Sequence, residues 1–474
     1  MTSSSDVRNT TWDELVVGSR ASIKRICRED DLILFAHASG NTNPFTLPST
    51  RGKEGENVIA PSLWVGSLLS AVLGNLLPGA GTLYLSQNLN FNERVHPGDE
   101  LFVEVCCTEK REKPIAVFEL KVSKANGAIA CSGVAIVNAP LSTIILQRHD
   151  LPSIIIDQED YFSLLIERAQ QLPPLRTAVV WPTDAASFNG ALLSADAGLI
   201  QPLLIGPIEK MRELAHASGR ELPDAMLIAA TDTHAACKLA VDMARTGDVR
   251  AIMKGNVHSD EILGATVKKD GGLRTEKRIS HVFVMDAPSL DRMLFISDAA
   301  VNIAPDLATK VHIVQNAIDL ARACGVLLPK VGILSAVETI NFAMPSTMDA
   351  AILSKMADRG QITGGLVDGP LAMDNAVDIG AARTKGIRSL VAGKADILIT
   401  PNIEAGNMLA KELTFIAKAE AAGIVLGAKA PIMLTSRADN DRARLASSAL
   451  VVLYDYWRST GQAAGQETLS KGSA

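Results

Sequence analysis

The residues best suited to chemistry on an anion are Thr435-Ser436-Arg437-Ala438-Asp439, set between the short apolar run Ile432 to Thr435 and the apolar helical run Leu445 to Leu453. A strand, a turn and a helix in that order put Ser436 near a helix start, where unpaired backbone N–H groups attract phosphate. A hydroxyl there can donate to an oxyanion, and a guanidinium can grip phosphate through two parallel hydrogen bonds. A capping serine beside a solvated arginine would read the same in isolation. Lys254-Gly255-Asn256-Val257-His258-Ser259 has a similar grammar: it follows an apolar run and precedes Asp260-Glu261-Ile262-Leu263, which predicts a strand-to-helix loop with Ser259 as cap. Ser335 and Asn402 follow the ends of expected strands at common capping positions. In Glu404-Ala405-Gly406-Asn407 the glycine lets a ligand approach the backbone and the amide both donates and accepts.

Elements that would position these residues are legible from about residue 160 onward. Short apolar runs alternate with helical patterns, the sign of an α/β domain with a largely parallel sheet. The expected strands are Ala178 to Trp181, Leu203 to Ile205, Ala251 to Met253, His281 to Asp286, Val331 to Leu334, Ala395 to Thr400 and Ile432 to Thr435. In such sheets ligands sit beyond the carboxyl ends of strands. Before Pro140 the pattern differs. Pro61 to Leu77 is apolar on nearly every face, which predicts a helix wrapped by other structure. Leu83 to Phe91, Glu100 to Cys107, Ala116 to Ser123 and Ile129 to Ala139 follow as strands, so the region reads as one helix and then an antiparallel meander.

With 474 residues, 47% of them hydrophobic, the chain is long enough for two or three packed units. Lys plus Arg number 46 against 52 Asp plus Glu, a net charge of −6, so no general basic surface exists for nucleic acid or anionic lipid, and an anionic ligand must find a local site. The six cysteines form no CxxC pair, and Met1 to Thr10 lacks the apolar stretch of a secretion signal; both suit a reducing cytoplasm. The uncharged segment Asn57 to Asn92 is long enough to span a bilayer but is interrupted by Gly66, Asn75, Pro78, Gly79 and Gly81, so no membrane span is expected. There is no GxxxxGK[ST] loop or HExxH motif, and the eight histidines lack ligand spacing, so no metal is expected.

Phe35-Ala36-His37-Ala38-Ser39-Gly40-Asn41-Thr42-Asn43-Pro44, the apolar helix and Val95-His96-Pro97-Gly98-Asp99 together resemble the MaoC-like hotdog family of enoyl-CoA hydratases, over about Thr11 to Ala139. The resemblance implies a fold that pairs edge to edge as a dimer, with acyl-CoA in the groove between subunits. It also implies an Asp and a His that activate water, and at those two positions stand Asn41 and Thr46. An amide accepts no proton usefully at neutral pH and a threonine hydroxyl is far too weak a base, so hydration is expected to be disabled. His37 sits within a helical pattern and reads as a packed or surface residue.

Seven ordered stretches of the second region resemble a phosphate acetyl/butyryltransferase, from about Ser163 to Tyr456. They are residues 252–259, Ser280-His281-Val282-Phe283-Val284-Met285, Ser297-Asp298-Ala299-Ala300-Val301-Asn302, Ser335-Ala336-Val337-Glu338-Thr339, Asp368-Gly369-Pro370-Leu371-Ala372-Met373-Asp374, residues 401–407 and residues 435–439. The resemblance implies interconversion of acyl-CoA plus inorganic phosphate with acyl phosphate plus CoA, with both as substrates and no resident cofactor. It implies that Ser436 stabilises the tetrahedral intermediate and that Arg437 binds substrate. Lys254, His258, Ser259, Ser335, Asn402 and Asn407 would line the substrate groove. The acetyl branch places its base seven residues after the serine, where this chain has Ala443; Asp439 or Asp441 could substitute, and each is equally a favourable charge in a first helical turn. The expected architecture is an α+β hotdog domain at 1–140, a connector at 141–160, a two-lobed α/β acyltransferase domain with largely parallel sheets at 161–458 and a flexible tail at 459–474. A homodimer or larger homo-oligomer is expected. A bifunctional hydratase/transferase and a non-catalytic acyl-CoA scaffold are the alternatives.

Overall fold

The structure, a computed structural model, describes residues 7–47, 58–146, 160–434 and 440–465. The chain divides into two units, 1–159 and 160–474. The first contains, in chain order, β1 (Val7–Arg8), β2 (Arg20–Ile26), α1 (Glu29–Ser39), α2 (Ser62–Asn75), β3 (Leu83–Phe91), β4 (Glu100–Lys110), β5 (Ile115–Lys124), β6 (Ile129–Asn138) and β7 (Ile145–Leu146). Helix α2 carries no charge and buries Trp64, Val65, Leu68, Leu69, Val72 and Leu73. It can do so because the strands offer apolar side chains at every second position, Leu101, Val103 and Val105 on β4 and Phe118, Leu120 and Val122 on β5, and all of them share one core with the helix. An apolar helix cradled by an antiparallel sheet is the hotdog arrangement.

The sheet order is β2-β4-β5-β6-β3, all antiparallel. Two expectations therefore change. A second helix, α1, precedes the apolar one, and only β4-β5-β6 form a meander, because β3 pairs with β6 across the sheet. The turn before β4 explains the order: Gly98 N donates to Cys27 O, and Cys27 N to Asp99 O, which fastens the start of β4 to the end of β2. β2 went unread because its sequence, Arg-Ala-Ser-Ile-Lys-Arg-Ile, carries too little apolar alternation; it is a largely exposed edge strand. β3 forms the other edge, with Leu83, Tyr84, Leu85 and Phe91 exposed.

The second unit continues with α3 (Tyr161–Gln170), β8 (Leu175–Val180), α4 (Ala185–Asp196), β9 (Ile200–Gly206), α5 (Ile208–Ala217), β10 (Leu227–Ala229), α6 (Thr233–Thr246), β11 (Ala251–Lys254), α7 (Ser259–Thr266), β12 (Ser280–Asp286), β13 (Leu294–Ser297), α8 (Leu307–Ala323) and β14 (Lys330–Leu334). It ends with α9 (Pro345–Asp358), β15 (Leu366–Leu371), α10 (Met373–Val377), α11 (Ile379–Thr384), β16 (Ile397–Ile399), α12 (Ile403–Phe415), β17 (Glu420–Leu426), β18 (Ile432–Met433) and α13 (Asp441–Thr460). One sheet of eleven strands, ordered β10-β9-β8-β11-β18-β17-β12-β13-β16-β14-β15, runs through it.

Two blocks of this sheet are parallel, β10-β9-β8-β11-β18 and β13-β16-β14-β15. Between them β17 and β12 pair antiparallel with each other and with their outer neighbours. These reversals turn the blocks in opposite senses, so the two lobes are halves of one continuous sheet. β13, β15 and β17 were not legible: β15 contains Asp-Gly-Pro, and β17 opens Glu-Ala-Ala-Gly, so neither shows a strand period. α13 runs through Thr460, and Ala463 and Ala464 are buried, so ordered chain continues past Ser459 into the residues expected to be a tail. Among the described residues no helix is long and apolar enough to cross a membrane.

Candidate functional site

A cavity of about 790 Å³ runs beside α7, from Ser259 at the start of that helix to Thr266 and Val267 at its end. Its opposite wall is made by residues 274–279, 300–303 and Ile403. It therefore lies where the first parallel block meets the reversed centre of the sheet.

The 300–303 wall is held by one carboxylate. Asp298, 2% exposed, accepts from the backbone N–H groups of His281 (3.3 Å), Ala300 (3.0 Å), Val301 (3.1 Å) and Asn302 (3.0 Å) and from Asn302 Nδ2. Several N–H donors on one buried carboxylate offset its desolvation. Asn302 Nδ2 also donates to Ile279 O at 2.9 Å, tying the two loops of the wall together. His281, behind this loop, is buried against Phe283, and burial pushes its imidazole down to about 4 while Asp298 pulls it upward, so the ring is neutral at neutral pH. Helix α12 closes on the same loop: Asn407 Nδ2 donates to Ala299 O at 3.2 Å, and Gly406 approaches so closely that an added Cβ would lie 2.4 Å from Asp298 O.

At the carboxyl ends of the first block, the 255–258 loop packs against the end of β8. A Cβ on Gly255 would lie 2.3 Å from Val180 O, which is why glycine follows Lys254. Asn256 Nδ2 donates to Thr183 Oγ1 at 3.2 Å, and Lys254 Nζ donates to Val257 O at 3.2 Å, so this loop is braced by its own side chains. His258, not Ser259, occupies the N-cap position of α7; its N–H donates to Glu261 Oε1 at 3.3 Å. The cap moves one residue because Ser259 already has helical backbone geometry, and its side is left to line the cavity.

Ser436, Arg437 and Asp439 lie outside the described residues. The chain leaves β18 at Leu434 and re-enters at Asn440, which caps α13 by accepting from Ala443 N at 2.8 Å. Asp441 is exposed in the first turn of that helix. Arg442 is committed elsewhere, paired with Asp160 at the cap of α3 and with Glu420 at the start of β17.

The remaining residues do not gather at the same end of the sheet. Ser335 and Asn402 follow strands of the second block, whose carboxyl ends point opposite to those of β11 and β18. Ser335 Oγ is 2.8 Å from Ser346 Oγ, Asn402 caps α12 by accepting from Ala405 N at 2.9 Å, and Asn407 braces Ala299. In the first unit Asn41 Oδ1 accepts from Asn43 N at 3.2 Å and Thr46 Oγ1 donates to Asn43 O at 3.1 Å, both within the loop itself. Sequence reasoning left Arg274, Arg278, Asp298 and Asn302 without a role. The signal for the arginines was available, since residues 268–278 hold five basic and two acidic residues in a chain that is acidic overall. Among the described residues no cluster of His, Cys, Asp and Glu could hold a metal ion.

A mixed α/β sheet with strand-to-helix loops suited to anions, beside a cavity lined by both apolar and charged residues, defines an enzyme of the α/β class. Residues 208–452 match the family described as phosphate acetyl/butaryl transferase, and the chain belongs to it. The phosphate acetyltransferase of Rhizobium meliloti is 51% identical over 307 residues, 65% of this chain and 97% of that protein. The crystal structure of a branched-chain phosphotransacylase from Enterococcus faecalis V583 is 27% identical with a TM-score of 0.51, covering 60% of this chain and 99% of that one. An R-hydratase from Pseudomonas aeruginosa in the unliganded form is 35% identical with a TM-score of 0.31, covering 32% of this chain and 99% of that one.

The tight approach of α12 generates a prediction. Gly406→Ala should lower the unfolding free energy by about 1–3 kcal/mol through overpacking, read from denaturant midpoints. Gly264→Ala on α7, where an added Cβ meets nothing within 4 Å, should be neutral or slightly stabilising. Equal losses in both variants would mean that the 298–303 loop yields freely.

Proposed function

We propose that the second unit transfers an acyl group between coenzyme A and inorganic phosphate, with both as substrates and no resident cofactor, beside a hotdog unit that has lost hydration chemistry. The carrying observation is the membership of residues 208–452 in the transferase family together with a strand, β18, that ends shortly before Ser436 and Arg437 in sequence and a capped helix, α13, that begins shortly after them. In the forward direction a phosphate oxygen attacks the thioester carbonyl carbon, negative charge develops on the carbonyl oxygen, and the C–S bond breaks to give acyl phosphate and the CoA thiol. Ser436 donates to that oxygen and Arg437 holds the phosphate. The start of α7, with Lys254, His258 and Ser259, faces the reactants from β11. Asn402 and Asn407 act one step back, fixing α12 and the 298–303 wall, and Ser335 braces the start of α9. In the reverse direction Asp439, with Asp441 as the alternative, takes the proton from the CoA thiol as its sulfur attacks acyl phosphate, and in the forward direction the same carboxyl returns a proton to the departing thiolate.

Two further readings belong to the first unit. Asn41 and Thr46 spend their polar atoms on their own loop and present no base, so this unit serves assembly and thioester contact. The exposed edge of β3, with Leu83, Tyr84 and Leu85, supports a homodimer formed edge to edge. Six free, buried cysteines suit the cytoplasm.

Three outcomes test this. Phosphate-dependent release of CoA thiol from acetyl-CoA or butyryl-CoA should fall by at least about a hundredfold in Ser436→Ala, as for loss of an oxyanion donor, and Arg437→Ala should raise the phosphate requirement steeply. Absence of release from either thioester with the unaltered chain would sink the transferase reading. Crotonyl-CoA absorbance should stay constant with the whole chain, and its decay would restore the bifunctional alternative. Light scattering should give at least a dimer, and a Leu85→Lys charge on β3 should weaken it; a stable monomer in the unaltered chain would exclude edge pairing.

A further inference from the structure

Among the described residues only two that are not glycine have a left-handed backbone, Trp181 at φ 57° and Lys418 at φ 59°. Lys418 lies in the exposed loop before β17. Trp181 stands directly beyond the carboxyl end of β8, beside the loop that carries Lys254, His258 and Ser259. For a bulky residue this conformation is an outlier, and Pro182, which follows, favours an extended backbone before it. Such a state persists only where its surroundings over-determine it, and such surroundings cluster at functional sites.

Trp181 N donates to Ile205 O at 2.7 Å, which fixes the residue to the end of β9. Its indole is half-buried, packs against the cluster that holds Val180, Ile205 and Val257, and seats on Gly206, where an added Cβ would lie 3.5 Å from Trp181 Cε3. With the chain reversed at this point, the Trp181 carbonyl accepts from two N–H groups, those of Thr183 and Asn256, each at 2.9 Å. Thr183 Oγ1 accepts from Asn256 Nδ2 at 3.2 Å, and Gly255 N donates to Val180 O at 2.9 Å. Residues 255 and 256 are therefore tied to the 180–183 turn at three points, immediately after Lys254 and two residues before His258. Glycine at position 181 would adopt a positive φ without strain, but it would also permit other states. A tryptophan there holds the turn in one.

Building on the transferase reading, we propose that Trp181 is a positioning residue for acyl transfer: its indole, seated on Gly206, locks the left-handed turn, and the turn fixes Asn256 and with it Lys254 and the start of α7. Trp181 acts through that loop and touches no reacting atom. A brace of this kind shows in turnover more than in binding, because a misplacement of about 1 Å in the reacting geometry costs as much as about a hundredfold in rate.

Steady-state kinetics of the full chain, with rates scaled to the folded fraction, separate the ring from the backbone. Trp181→Phe keeps an aromatic ring over Gly206 and should leave kcat within about threefold, whereas Trp181→Ala loses the ring and resists a positive φ, so kcat should fall at least about tenfold. Trp181→Gly loses the ring but accepts the backbone, and its kcat should lie between those two. KM for the thioester and for inorganic phosphate should move less than about threefold in all of them. Thr183→Val, which removes the hydroxyl that Asn256 meets, should also lower kcat, and its loss and that of Trp181→Ala should combine to less than their product, since both act through one loop. Unchanged kcat in Trp181→Ala, a loss in Trp181→Gly or Trp181→Phe as large as in Trp181→Ala, or fully independent losses in the double variant would each overturn the assignment. Lack of phosphate-dependent release by the unaltered chain would count against the transferase reading alone. Amide hydrogen exchange over residues 254–259 then decides the brace: faster exchange in Trp181→Ala than in Trp181→Phe supports it, and equal exchange overturns it.

Discussion

The reversal of two strands at the centre of the large sheet sets what the second unit can do. Because β17 and β12 run antiparallel to each other and to their flanks, the two parallel blocks open their carboxyl ends in opposite directions. A uniformly parallel sheet would line up all its strand-to-helix loops along one edge. Here the loops after β11 and β18 belong to one end and those after β13 and β16 to the other, so a single site drawing on both must be long. The cavity along α7 is lined from both, by Ser259 after β11 and by residues 300–303 and Ile403 after β13 and β16.

Such a cleft needs rigid walls, because loops that order only on binding lose affinity to their own entropy. Asp298 supplies much of that rigidity, gathering the donors of its loop onto a carboxylate that water does not reach. Gly406 and Gly255 serve the same end through close approach: each lets one backbone press against another where any side chain would collide. These are constraints on shape, and they give residues of the family-like motifs a structural reason to be there.

In the first unit the helix–sheet core and the 41–46 loop are built independently of each other. The helix–sheet core is complete, with α2 buried against β4 and β5. Nothing in that core depends on Asn41 or Thr46, which sit in an exposed loop and bond to Asn43. Substitutions in that loop therefore leave the packing of the core untouched.

By itself the sequence determined the division of labour: the apolar helix Ser62–Asn75, the strands around it, the α/β rhythm after residue 160 and the loop at Lys254 to Ser259 all follow from local periodicity and capping chemistry, and the two family resemblances rest on ordered local motifs. Of the strands at the reversed centre of the sheet, β12 was legible and β17 and its counterpart across β12, β13, were not; nor was β15 at the edge. β13, β15 and β17 are strands because neighbours distant in sequence pair with them, and Glu-Ala-Ala-Gly carries no strand signal until His281 needs the space beside Gly423. Ser335 and Asn402 follow strands, where a polar residue reads the same whether it faces substrate or caps a helix, and Asn407 offers an amide that could meet a ligand or a backbone. The cap that Asn402 gives Ala405 N is local to the sequence, whereas the hydrogen bonds of Ser335 to Ser346 and of Asn407 to Ala299 O were decided only by tertiary structure, because they form where the fold brings separate segments face to face.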